Sequence, residues 1–105
     1  MNMMEKSVWE IYVPVSDNKG VDFSIGHHKI WDKKVTESAG GLTIFKRSRG
    51  LWESQMTGKV FQERVIPVRI VCDYDTIQYI AEFTKEHYNQ ESVMFYLVSE
   101  KVYFV

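Results

Sequence analysis

The residue that most invites a chemical reading is Glu63. It lies inside the β-branched run VFQERVIPVRIVC, residues 60–72, which otherwise has the composition of a buried strand. A carboxylate in such a run must lie near a sheet edge, pair with a cation, or be held for a purpose. Arg64 beside it and Arg69 further along would supply a structural ion pair; a site carboxylate is the other reading. Trp52, between Gly50 and Glu53, has a ring that could stack on a planar group or a cation, or serve as an ordinary hairpin or interface aromatic. Gln90, Glu91 and Ser92 stand where a helical pattern gives way to an apolar run. Loop positions on a rigid scaffold often carry binding groups, although a solvated turn also explains Glu91. The candidate catalytic residue is therefore Glu63, and the candidate binding residues are Trp52, Gln90, Glu91 and Ser92.

Other chemistries find little support. His27 and His28 are adjacent, so on a helix they point about 100° apart. His87 is distant in sequence and no Cys-x-x-Cys or His-x-x-x-His spacing occurs, so surface histidines and no metal site are expected. Cys72 ends a strand-like run and reads as a small buried hydrophobe. Gly40, Gly41 and Gly50 form neither a dinucleotide fingerprint nor a P-loop, and are expected at a helix end and a turn.

Elements must hold these residues in place. Residues 8–15 alternate, with Trp9, Ile11, Val13 and Val15 on one side and Glu10, Tyr12 and Pro14 on the other, which predicts a strand. Pro14 cannot donate to a ladder and marks an edge or a strand end. Ser16 to Gly20 reads as a turn. Residues 24–39 carry helical spacing, with Ser24 as N-cap and Gly40-Gly41 as stop. A short strand over 42–46, a resumed strand over 51–53 and a polar hairpin tip over 54–59 follow. In the long run 60–72, Pro67 predicts a bulge or an edge position. Asp73 or Asp75 then caps a second helix, whose Ile77, Ile80, Ala81, Thr84 and Tyr88 form the clearest amphipathic stripe in the chain. Strands over 92–98 and 102–105 complete the order. The plan is α+β: a ferredoxin-like βαββαβ antiparallel sheet with two helices on one face and an extra C-terminal strand.

Composition bounds the function. The 105 residues make one domain, 1–105, with 45% apolar and 26% charged residues, which argues against disorder. A net charge of −1 leaves no basic footprint for nucleic acid and no polybasic membrane patch. The longest apolar run, Val93 to Val98, falls far short of the roughly 20 residues of a spanning helix. The N-terminal MNMMEKSV lacks a signal-peptide pattern, so a cytoplasmic location is expected. Aromatic residues reach 14%. Two helices cover one sheet face, and Trp9, Trp52, Met94, Tyr96 and Tyr103 are expected on the other, too apolar for water. A homo-oligomer follows.

The blocks GGLTIFKRSRGLWES, ERVIPVRIVC and HYNQESVMFYLVS together give the chain a resemblance to the small phage-encoded S-adenosylmethionine lyases, formerly called S-adenosylmethionine hydrolases, which act in evading host restriction. The resemblance spans residues 8–98 in layout and short blocks. It implies a PII-like, ferredoxin-like homotrimer with the substrate site between subunits, S-adenosylmethionine as the small-molecule substrate, and no cofactor. The family's acidic residue near the start of the third strand would correspond to Glu63. Pro67 departs from the family pattern in that segment, and Arg64 stands where a second acidic residue can occur. The alternative class is a non-catalytic PII-like oligomer that binds a small nucleotide-type ligand or a host protein, with residues 51–61 as its adaptable loop.

Overall fold

In the computed structural model, which describes residues 6–105, alternation and helical spacing are realised where the pattern is strongest. Strand β1 (Ser7–Pro14) is followed by α1 (Ile25–Ala39), β2 (Thr43–Ile44), β3 (Ser48–Glu53), β4 (Val60–Cys72), α2 (Tyr74–His87) and β5 (Phe95–Ser99). The Ser24 side chain accepts from the His27 N–H at the start of α1, and Gly40 ends that helix in the left-handed region at φ 85°. Asp73, rather than Asp75, caps α2 by accepting from the Thr76 N–H.

The sheet is antiparallel and runs β2-β4-β1-β5, with β3 pairing β4 beyond β2. Strands β2 and β3 are two parts of one interrupted strand. Ile44 faces Val68 and Ser48 faces Val65, so four steps on one side meet three on the other. The break falls at Pro67. Its carbonyl accepts from the Phe45 N–H at 2.9 Å, and a strand residue points both backbone groups the same way. The N–H that proline lacks would thus face the gap, where no ladder bond is needed.

Both helices cover one face. Ile11 and Val13 of β1, Val68, Ile70 and Cys72 of β4, Trp31 and Val35 of α1, and Ile77, Ile80 and Ala81 of α2 form the core. Each fully buried isoleucine contributes about 1.5–3 kcal/mol of transfer free energy. The helices are tied by the Trp31 indole N–H, which donates to Thr84 Oγ1 at 2.8 Å, while the Thr84 hydroxyl donates to the Ile80 carbonyl. Burial pushes the Cys72 thiol up to about 11, with Asp73 adding to the shift, so it behaves as a core hydrophobe.

Three expectations need correction. The histidines are not on the surface: His27 and His87 stack at 3.8 Å between the helices. Each Nε2 donates to the other's backbone carbonyl, at 2.7 and 2.8 Å, and Phe23 and Phe83 extend the column at 5.2 Å on either side. Trp9 faces the helix side, packing against Tyr74 and Phe95 and donating to the Cys72 carbonyl at 3.1 Å. Residues 102–105 form no strand. The Ser99 side chain bonds to the backbone of Lys101, the ladder with β1 ends at Ser99, and Tyr103 and Phe104 project into solvent. A strand needs a partner, and among the described residues the segment has none.

The first half of β4 runs past the helices with β3 as a protruding hairpin. The Cα radius of gyration, 14.9 Å, exceeds the roughly 13 Å typical of a chain this long. Leu51, Met56, Val60 and Phe61 on this arm are exposed.

Candidate functional site

The root of the hairpin meets the end of β1 and the turn after α2, and the three enclose a cleft of about 790 Å³, within the range of small-ligand pockets. Trp52, Glu63, Gln90 and Ser92 all line it, together with Tyr12, Asp17, Phe61 and Met94. Glu91 does not; its side chain is exposed elsewhere on the turn.

Strand pairing sets the acidic end. Gly50 lies directly opposite Glu63, and Trp52 is two residues on, so all three share the sheet face away from the helices. The Trp52 ring folds back along β3, and its indole N–H donates to Glu63 Oε2 at 2.9 Å. Gly50 makes the room: a Cβ there would lie 3.2 Å from Trp52 Nε1. This glycine therefore serves a close approach inside a strand, where the sequence suggested a turn. Trp52 is 46% exposed, leaving much of its ring for another group.

Arg64 does not neutralise Glu63. Alternation turns it to the opposite face, where its guanidinium donates to Asp22 at 2.6 Å. Arg69 is committed as well, donating from Nε to Glu10 Oε1 at 2.9 Å. Neither arginine forms a salt bridge with Glu63, which accepts instead from the Trp52 indole.

Gln90 reaches the cleft through the end of α2. Asn89 takes a left-handed φ of 52°, the Gln90 N–H returns to the Lys85 carbonyl, and the Gln90 side-chain amide donates to the Tyr88 carbonyl at 3.0 Å. On the opposite wall, Asp17 Oδ1 accepts from the Lys19 and Val21 N–H groups and fixes the turn after β1.

Sequence reasoning missed a polar row beside the cleft. Glu10 is only 7% exposed; Arg69 sits across from it on β4 and Tyr96 across from it on β5. The Tyr96 hydroxyl donates to Glu10 Oε2, and Tyr12, which lines the cleft, lies with its hydroxyl 3.4 Å from that of Tyr96. Burial works to raise the Glu10 pKa, but the Tyr96 hydroxyl and the Arg69 guanidinium outweigh it and the net shift is downward. The bond to Glu10 pushes the Tyr96 phenol upward. The only sequence signal for this row was the alternation that set Glu10 and Tyr12 on one side of β1.

No protein-family model matches the chain, and no curated protein matches it in sequence. Solved structures do resemble it. A phage S-adenosylmethionine lyase in complex with S-methyl-5'-thioadenosine superposes with a TM-score of 0.68 at 15% identity, over 97% of this chain and 88% of that one. CutA1 from Oryza sativa gives 0.70 at 13% identity, over 96% and 84%. The periplasmic divalent cation tolerance protein CutA from Archaeoglobus fulgidus gives 0.67 at 11%, over 94% and 87%. The fold is the ferredoxin-type fold of these proteins. At such identities the likeness extends to architecture and stops short of chemistry. Among the described residues, no three His, Cys, Asp or Glu side chains cluster to hold a metal ion, and no helix is long and apolar enough to cross a membrane.

Proposed function

We propose that this protein is an S-adenosylmethionine lyase that forms methylthioadenosine and homoserine lactone in the cleft at the hairpin root. The observation that carries the reading is Glu63, held by the Trp52 N–H in a cleft that also gathers Gln90 and Ser92. The fold shared with a lyase structure containing methylthioadenosine supports it. In this reaction the substrate's own carboxylate attacks its γ-carbon. The carbon–sulfur bond breaks, its electron pair goes to sulfur, and the sulfonium becomes a neutral thioether. The nucleophile is intramolecular, so the protein's task is to fold the methionine chain into attack geometry. Glu63 holds the cationic part of the substrate, the ammonium or the sulfonium, and need not take a proton. Trp52 and Phe61 supply apolar surface that replaces water around a charge that disappears in the transition state.

The same reading makes the working form a homotrimer, with the site completed by a neighbouring copy. The exposed Leu51, Met56 and Phe61 of the arm and Tyr103 and Phe104 of the C-terminal segment are the apolar surfaces such copies would cover. Light scattering at micromolar concentration tests this directly: a trimer mass is expected, and a monomer contradicts it.

Incubation with S-adenosylmethionine in ¹⁸O-labelled water tests the chemistry. Methylthioadenosine should appear with homoserine lactone that carries no label at early times, because the ring oxygen comes from the substrate's carboxylate. Labelled homoserine formed directly would mean hydrolysis. Absence of product would favour the alternative, a non-catalytic PII-like oligomer using this cleft to bind a nucleotide-type ligand, for which the shared fold of the CutA1 structures is the supporting observation.

A further inference from the structure

A count of protons fixes what the Tyr12 end of the cleft can offer a ligand. An ionised carboxylate only accepts, and a phenol carries a single proton. Glu10 takes the Arg69 Nε–H on one oxygen and the Tyr96 hydroxyl on the other. Tyr96 has thereby used its proton, and it meets the Tyr12 hydroxyl at 3.4 Å as an acceptor. The Tyr12 proton accordingly turns inward, toward Tyr96 and Glu10, and the Tyr12 oxygen presents lone pairs to the cleft. The rings of Tyr12 and Tyr96 meet edge to face at 5.9 Å, which holds that orientation.

Glu63 repeats this polarity further along the cleft. Tyr12 faces Pro67, and Glu63 lies four residues along β4 on the same sheet face, a displacement of about 13 Å. Glu63 is acceptor-only when ionised. Gln90 uses one of its two side-chain N–H groups on the Tyr88 carbonyl. Arg64 also lines the cleft, and its guanidinium donates to Asp22. Taking the cleft as a ligand site, we infer that Tyr12 is a specificity-determining residue, held acceptor-only by the Tyr96–Glu10–Arg69 row, which admits a donor-bearing or cationic group at its end of the cleft and rejects a phosphate. The Tyr12 end of the cleft thus favours an ammonium or other donor-bearing group over a phosphate of similar size.

The test compares three probes on the full chain by calorimetric titration: S-adenosylmethionine, which carries a sulfonium and an ammonium; methylthioadenosine, which is neutral; and adenosine monophosphate. The wild type should bind S-adenosylmethionine at least about ten-fold more tightly than adenosine monophosphate, the span of one charge-assisted hydrogen bond. Tyr12→Phe should shrink that ratio by about ten-fold and change methylthioadenosine affinity by less than about two-fold. Glu10→Gln leaves one acceptor oxygen, which Arg69 claims, and sets the amide N–H against Tyr96, turning the phenol protons outward, so adenosine monophosphate should gain on S-adenosylmethionine; Tyr12→Phe decides the matter if Glu10→Gln melts early. An unchanged ratio in Tyr12→Phe, equal wild-type affinities for the cation and the phosphate, or no binding of any probe overturns the inference. Discrimination without turnover upholds it while removing the lyase reading.

Discussion

Glu10 and Glu63 stand on the same sheet face, on neighbouring strands, and have opposite surroundings. Glu10 is buried and receives an arginine N–H on one oxygen and a tyrosine hydroxyl on the other. Glu63 is exposed and receives one indole N–H on one oxygen. A carboxylate bonded by the protein at both oxygens and buried between strands holds them in register; an exposed one bonded at a single oxygen can hold something else. The surrounding elements differ in the same sense. Around Glu10 three strands run side by side above two helices. Around Glu63 there is a two-stranded arm, a turn and a cleft.

Several substitutions sharpen or break this contrast. The largest effect on stability should come from Glu10→Ala, which leaves Arg69 without its partner and the Tyr96 hydroxyl without its acceptor. Because Arg69 is itself half exposed, the loss should be about 2 kcal/mol, below the range for a fully buried pair. Denaturant unfolding measures it, and a loss under about 0.5 kcal/mol would place Glu10 among surface residues. Acid should act through the same group. The folded-state pKa of Glu10 is depressed, so its contribution is fully present above the unfolded carboxyl value of 4.5 and is lost as pH falls through the lower folded value. Stability of the wild type should therefore decline more steeply below about pH 4.5 than that of Glu10→Gln. Parallel curves would contradict this.

At the other carboxylate the effects should appear in ligand handling. Trp52→Phe keeps a ring and removes the N–H that positions Glu63, and should weaken S-adenosylmethionine binding by about ten-fold with little change in melting. Unchanged affinity would return Trp52 to the scaffold. The smallest effect should be that of Gly50→Ala. Its methyl group would push the indole by a few tenths of an ångström, loosening the bond to Glu63 for about a two- to three-fold loss of affinity. A larger loss accompanied by a lower melting temperature would mean that β3 itself had shifted.

What was legible in the sequence follows from how local each signal is. The α2 stripe, the β1 alternation and the break at Pro67 depend on neighbours a few residues apart, and each appears in the fold. Glu10 was opaque because its partners, Arg69 and Tyr96, are 59 and 86 residues away. The ring column was opaque for the same reason, since His27 and His87 lie 60 apart. The C-terminal segment 102–105 has strand composition but finds no strand to pair with among the described residues, which no local pattern reveals. Glu63, Trp52, Gln90 and Ser92 were legible as unusual types in their runs. Their meeting in one cleft is a product of the β3–β4 register and the turn at Asn89.

The central claim is that Glu63 serves a ligand and not the fold. The most direct test measures turnover of S-adenosylmethionine and the melting midpoint on one preparation of Glu63→Gln beside the wild type. The account predicts turnover lowered by about 100-fold or more with a midpoint within about 2 °C of the wild type, as befits an exposed side chain. Wild-type turnover in the variant, or turnover lost only together with the cooperative melt, would contradict it.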